Sequence, residues 1–359
     1  MDTTDPQIEF DADGNCNHCI GFFINSKKLP YRGEMNNAII NELVQKIKKS
    51  GKGKKYDCIL GLSGGVDSSY AACLAKKFDL RVLAVHMDNG WDSDTAVKNI
   101  KTVIEKTGFD YESYVLNWEE FKDLQLAFLK ASVPEIETPT DHAIPAALHK
   151  IAAKHKIKYI ISAGNQATEG ILPSGWHYNA KDLTYINKIH RQFGTGKLSG
   201  FPLFGYKQEI QYKYFYGIKL IYLLDYIPYS KNTAMTFLKE TMDWEYYGGK
   251  HYESVYTKFI QSYVLIQKFN IDYRKATYSS QICSGELTRE KAIEQLKHLP
   301  YDSVAIEKEK TYICKKLGIS LQDFAQIMNT PVKSYTDYPN DKKKLEFIYR
   351  LYKKLNSPK

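Results

Sequence analysis

The sequence predicts an α/β protein built on a parallel, doubly wound sheet, with a helical C-terminal extension and a small Cys-containing N-terminal module. Three observations carry this reading. Apolar strand-like runs alternate with amphipathic stretches over about 110 residues from Tyr56 onward, the pattern of a parallel sheet covered on both faces. A Gly-Gly turn joins the first of these strands to the first helix. After Gly170 the strand signal stops and apolar positions recur only at helical spacing. With 359 residues the chain has room for about two domains, or one with a large extension, and for a core that needs no disulfide or metal staple.

Residues 1–50 form the N-terminal module, a polar stretch around Asn15-Cys16-Asn17-His18-Cys19 followed by a helix over 36–49. Ser50-Gly51-Lys52-Gly53-Lys54-Lys55 stops that helix and serves as a linker. Residues 51–175 form the α/β domain, with strands expected at 58–62, 81–87, 111–116 and 159–163 and helices at 68–78, 95–107, 119–129 and 142–155. Residues 176–359 form the extension, with helices expected at 183–193, 212–226, 233–242, 255–269, 289–296, 303–317, 321–328 and 341–355.

Composition narrows the class. Hydrophobic residues are 43 % and charged residues 25 %, ordinary for a globular protein. No apolar run approaches the roughly 20 residues of a membrane span, since 218–227 is short and broken by Lys219 and Asp225. The acidic start, Met1 to Asp11, lacks the layout of a signal peptide. Six cysteines, only two closely spaced, do not form a disulfide framework, so the expected compartment is the cytoplasm. The net charge of +9 resides largely in Lys pairs at helix ends and in tail lysines such as Lys342, Lys343, Lys344, Lys353, Lys354 and Lys359. Scattered runs of this kind solvate a surface and do not stripe a nucleic-acid groove.

The sharpest signal is Ile59-Leu60-Gly61-Leu62-Ser63-Gly64-Gly65-Val66-Asp67-Ser68-Ser69. Here a buried strand ends, two glycines turn the chain, and a helix begins. Glycines let backbone approach an anion closely. The free N–H groups and positive dipole end of the new helix favour a phosphate. Ser63, Ser68 and Ser69 add hydroxyls, while Asp67 would repel a bare phosphate and therefore points to a bridging Mg²⁺. The stretch fits neither the G-x-x-x-x-G-K-[ST] loop nor the dinucleotide G-x-G-x-x-G. It resembles the SGGxDS motif of the PP-loop ATP pyrophosphatases. That resemblance implies the fold of that superfamily, cleavage of ATP between its α and β phosphates, and pyrophosphate held on Ser63, Gly64, Gly65, Val66, Asp67, Ser68 and Ser69. Ligands of open parallel sheets bind beyond the carboxyl ends of the strands. Asp88 and Asn89 end the second strand and Gly164 and Asn165 the fourth, so they join the expected ATP site.

A narrower resemblance spans most of the chain. Asp2-Thr3-Thr4-Asp5-Pro6, Gly14-Asn15-Cys16-Asn17-His18-Cys19, Thr140-Asp141-His142-Ala143-Ile144, Gly248-Gly249-Lys250-His251-Tyr252-Glu253-Ser254 and Cys283-Ser284-Gly285-Glu286-Leu287-Thr288-Arg289-Glu290 are similar to segments of the N-acetyl sugar amidotransferases of surface-polysaccharide and flagellin-glycan biosynthesis. The resemblance implies conversion of a sugar acetamido group to an acetamidino group. AMP is transferred to the amide oxygen, a poor leaving group until so activated, and ammonia then displaces AMP. Lys250 and His251 are the expected groups for the α-phosphate or for proton transfer. Asp141 and His142 are expected to orient the amide or ammonia, and Glu169, Arg274 and Arg289 to bind substrate.

Cys16 and Cys19 have the C-x₂-C spacing of half a zinc site. In the resembled family a second such pair precedes the Asp2–Pro6 stretch; it is not in this sequence, so either the sequence starts late, or this member lacks the metal, or it borrows Cys283 or a histidine. No glutaminase signature occurs in the sequence. The resemblance therefore implies free ammonia or a separate glutaminase of the histidine-biosynthesis kind, with its barrel-shaped companion. Two other readings share the phosphate loop: a tRNA-modifying enzyme, against which stands the lack of a second C-x-x-C after the loop, and a non-catalytic nucleotide-binding module.

Overall fold

The computed structural model describes residues 1–31 and 37–356. Asn36, where the second helix was expected to start, and Lys359 lie outside these residues. Five parallel strands, β1 (Cys58–Gly61), β2 (Val82–Asp88), β3 (Asp110–Val115), β4 (Tyr159–Ser162) and β5 (Lys219–Tyr222), form one sheet in the order β3-β2-β1-β4-β5. Register runs Cys58 to Val82, Ile59 to Ile160 and Tyr159 to Lys219. The order reverses between β1 and β4, which opens a crevice at their carboxyl ends.

Alternation along the strands assigns the two faces. Cys58, Leu60, Val82, Ala84, Tyr159 and Ile161 pack under α2 (Asn37–Ser50), α3 (Val66–Lys77), α4 (Asp94–Thr107) and the helix Lys231–Met242. Ile59, Leu83, Val85 and Ile160 face Leu148, Ile151 and Ala152 of α6 (Thr138–Lys154). The doubly wound expectation is met. A third apolar cluster joins α5 (Trp118–Ala131) and α8 (Leu183–Phe193) to the C-terminal helices through Phe121, Phe128, Tyr185, Tyr256 and Phe259.

The structure departs from the sequence reading in several places, and the helices Asn17–Ser26 and Tyr206–Ile210 are among the elements that were not expected. The stretch 212–226, expected as a helix, holds a π-turn (Gln211–Phe215), then β5, then a 3-10 turn (Leu223–Tyr226). The sheet therefore draws a strand from beyond residue 175, out of the segment assigned to the extension. In addition, α2, assigned to the N-terminal module, buries Ile40, Leu43, Val44 and Ile47 against the sheet. The helix Tyr273–Cys283 was not expected. The N-terminal module docks on that helix. The Met1 amino group donates to Ser279 Oγ at 2.5 Å and Lys275 pairs with Asp2 at 2.7 Å. Within the module, α1 (Asn17–Ser26) sends Phe22 against Gly170. Among the described residues, no helix is long and apolar enough to cross a membrane.

Candidate active site at the carboxyl end of the sheet

The chain leaves β1 at Gly61 and turns through Gly64, whose φ of +78° lies in the left-handed region that favours glycine. A Cβ on Gly64 would lie 2.5 Å from the Ala96 carbonyl oxygen of α4. Gly65 is the N-cap of α3 and offers no side chain to the helix end. The loop is tied from inside: the Ser63 N–H donates to Ser68 Oγ at 3.2 Å, and the two hydroxyls lie 3.1 Å apart. Trp244 Nε1 and Asn99 Nδ2 both donate to the Gly64 carbonyl, at 3.1 and 3.3 Å. Ser69 is fully buried, and its hydroxyl has no hydrogen-bond partner among the described residues.

Carboxylates and ammonium groups surround this loop. Asp67, in the first turn of α3, accepts from the Tyr229 hydroxyl. Burial and the nearby Glu169 charge push its carboxyl above the ordinary range, against the pull of Tyr229, Lys231 and Lys250. Glu169 ends the short helix α7 (Gln166–Glu169), whose N-cap Asn165 accepts from the Thr168 N–H at 2.9 Å. Burial disfavours the Glu169 charge, but Lys250, with its Nζ 3.3 Å from Oε1, and His251 outweigh it and hold the carboxyl below its usual value. Lys250 also donates to the Thr168 carbonyl at 3.0 Å. Lys231 is only 8 % exposed, and among the described residues its ammonium forms no ion pair. Burial lowers its pKa, and neighbouring Lys250 adds to the effect while Asp67 opposes it. A buried cation with nearby carboxylates but none in ion-pair contact is costly, and an anionic ligand would relieve it. The Gly64–Gly65 cradle, the orphan Ser69 hydroxyl and this unpaired lysine all fit a bound phosphate chain.

Asp67 and Glu169 also fit Mg²⁺, which takes one or two carboxylates and completes its shell with phosphate oxygens and water. Zinc fits less well. Cys16 and Cys19 Sγ lie 3.3 Å apart and Cys19 is hydrogen-bonded to Cys283. Yet among the described residues no group of three or more His, Cys, Asp or Glu is arranged to hold a metal ion.

Other expected residues divide clearly. His251 adopts φ +62°, with Nδ1 3.8 Å from Glu253 Oε1, at the edge of the site. Asp141 faces His177 at 3.8 Å; burial raises its carboxyl pKa, and the proximity of His177 and His251 opposes that. One turn earlier, burial pushes Glu137 up to about 8. His142 is fully buried, its Nδ1 2.6 Å from the Ala180 carbonyl and its Nε2 accepting from the Phe204 N–H at 2.9 Å. With both nitrogens engaged and burial lowering its pKa to about 4, His142 is a neutral strut, which corrects the expectation that it orients substrate. Asp88 and Asn89 cap their own turn through the N–H groups of Gly90 and Trp91, at 2.8 and 3.0 Å. Arg274 lines a cavity of about 610 Å³ shared with Lys231, Lys250, Tyr252 and Tyr278. Its guanidinium, however, is committed to Asp272 at 2.6 Å and to the carbonyls of Gln295 and His298. Arg289 is exposed on the first turn of its helix and is not part of that cavity wall. Gly164 sits against the Tyr222 ring and Glu169 Oε2, where a Cβ would fit tightly, 3.1 to 3.3 Å from them.

Sequence reasoning missed Lys231, Tyr229 and Tyr247, the last of which accepts the Val66 N–H at the start of α3 at 3.2 Å. Lys231 follows the N-cap Ser230 after the 3-10 turn Leu223–Tyr226 that leaves β5, so recognising the fifth strand would have placed it near the carboxyl end of the sheet.

His86 ties the site to the sheet. It lies on β2, with Nδ1 2.9 Å from the Leu62 carbonyl and Nε2 2.8 Å from Asp92. Burial opposes the imidazolium, but Asp92 and the Leu62 carbonyl overcome it and raise the pKa above the ordinary value. The stability this group contributes is fully present below its unfolded pKa of about 6.5 and is lost as pH rises through the higher folded pKa. Thermal melting should show that loss in the unmodified protein, and the loss should be absent in His86→Gln.

Residues 35–159 match the family model described as NAD synthase, and residues 253–356 match the one described as LPS biosynthesis protein WbpG-like, C-terminal domain. A search of curated proteins found no match. Similar solved structures include an NMN synthetase from Francisella tularensis, at 15 % identity and a TM-score of 0.35, covering 78 % of this chain and 95 % of that one. Another is an NH3-dependent NAD synthetase from Campylobacter jejuni, at 18 % identity and a TM-score of 0.30, covering 42 % and 70 %.

Proposed function

We propose that this chain, which joins a PP-loop domain of the NAD synthase kind to a WbpG-like C-terminal domain, is an ATP-dependent, AMP-forming amidotransferase acting on an N-acetylated, nucleotide-linked sugar. One observation carries the reading. A glycine-turned helix N-terminus, two carboxylates and two lysines, one of them buried and unpaired, converge at the switch point of the sheet.

In this reading the acetamido oxygen attacks the α-phosphorus of ATP and pyrophosphate leaves. Ammonia then adds to the imidate carbon, and AMP departs with the former amide oxygen to leave the amidine. Ser63 to Ser69 and Lys231 hold the departing pyrophosphate, and Lys250 neutralises charge at the transferred phosphate. Asp67 and Glu169 would hold Mg²⁺, which supplies charge neutralisation when bound. His251, beside Asp141, is placed to move a proton between ammonia and the leaving AMP. The strap of residues 244–254 over the sheet end helps exclude water, which would return the starting amide. It is fastened by Trp244 to Gly64 and by the Ser93 N–H to the Glu253 carbonyl at 2.8 Å. Ammonia comes free or from a separate glutaminase subunit.

The test is incubation with ATP, Mg²⁺ and ammonium over a panel of UDP- and CMP-linked and free acetamido sugars, reading AMP and product mass. The expected product is lighter than its sugar by about one mass unit, as an oxygen gives way to NH. AMP formed with tRNA and with no sugar would sink the sugar assignment.

A further inference from the structure

The Tyr247 hydroxyl stands at the mouth of the phosphate loop. It accepts the Val66 N–H, the first amide of α3, at 3.2 Å. It also lies 3.1 Å from the point where a Cβ on Gly65 would sit. That amide is one of the orphan donors that make a helix N-terminus an anion site. Ser63 Oγ and the Glu253 carboxylate oxygen Oε1 lie 3.2 and 3.3 Å from the same point, so an anion oxygen bound by the Val66 N–H enters a small space shared with two hydroxyls and one carboxylate.

Three features fix what this hydroxyl can do. Its ring is braced by Trp244 and Tyr246, with centroids 5.7 and 5.6 Å away, so it does not swing clear freely. Burial together with the Glu253 and Asp67 charges keeps it protonated, so it has a proton to give. In the structure it acts as acceptor for Val66, and no hydrogen bond from its own O–H to a described residue accompanies that contact.

We infer that Tyr247 is a phosphate ligand: when pyrophosphate or the ATP β-phosphate enters, one of its oxygens accepts from both the Val66 N–H and the Tyr247 O–H. The hydroxyl thereby changes from acceptor to donor with little movement of its ring. This extends the proposed function and rests on it.

The experiment is calorimetric titration of inorganic pyrophosphate, with Mg²⁺ at neutral pH, into the unmodified protein and into Tyr247→Phe, with thermal melting of both. A hydrogen bond to a charged group contributes enough that the variant should bind about 10-fold or more weakly, with its melting temperature essentially kept. Pyrophosphate bound as tightly, or more tightly, by Tyr247→Phe overturns this inference alone. Failure of both proteins to bind pyrophosphate overturns the inference and the ATP-cleaving reading together.

Discussion

Asp67→Asn is expected to lower pyrophosphate release by about 100-fold or more while leaving the fold intact. The amide keeps the shape of the carboxylate and can still accept from the Tyr229 hydroxyl, but it removes the charge that would hold a divalent cation against the phosphates. Stability should move the other way. Burial and Glu169 hold the folded Asp67 pKa above its unfolded value, so at neutral pH its charge disfavours folding. The variant should therefore melt at or above the temperature of the unmodified protein. An Asp67→Asn protein that kept its turnover would remove Asp67 from the chemistry.

Gly64→Ala should cost about 3 kcal/mol of stability and nearly all activity. Alanine is strained at φ +78°, and its Cβ would meet α4 backbone, with the Ala96 carbonyl oxygen at 2.5 Å and Cα at 3.2 Å. Backbone held in a helix cannot yield as a flexible side chain can. Gly53 is the built-in comparison: its φ is +76°, but nothing lies within 4 Å of its would-be Cβ. Gly53→Ala should thus cost only about 1 kcal/mol, from the left-handed backbone alone. Urea unfolding of the two variants separates the clash from the strain, and equal costs would refute the close-packing argument.

The phosphate loop was legible because its chemistry is local. An apolar run, two glycines and a serine-rich helix start are contiguous, and β1 and α3 form where those signals put them. Leu183–Phe193, which has a strong apolar stripe, and Ser303–Leu317, which buries Ile306, Ile313, Cys314 and Leu317, were read to the residue. β5 was not, because Lys-Leu-Ile-Tyr lies at the sheet edge, mostly exposed, without the buried run that marked the inner strands. Tyr273–Cys283 escaped because its buried face is Ala276, Ser279 and Ser280, too small to read as a stripe. The site was only partly visible for a related reason. His142 and Arg274 look functional by type, but a sequence does not tell that backbone carbonyls and Asp272 already occupy them. Lys231 is an ordinary lysine until β5 and α3 bring it beside Asp67.

Under the proposed function, this chain cleaves ATP between its α and β phosphates at the loop from Ser63 to Ser69. Supplying ATP labelled in the α-phosphate, with Mg²⁺, ammonium and the acceptor sugar, and separating the labelled products tests it most directly. The label should appear in AMP, with one pyrophosphate released per AMP and no ADP. Label found in ADP, with free phosphate released, would rule out cleavage between the α and β phosphates.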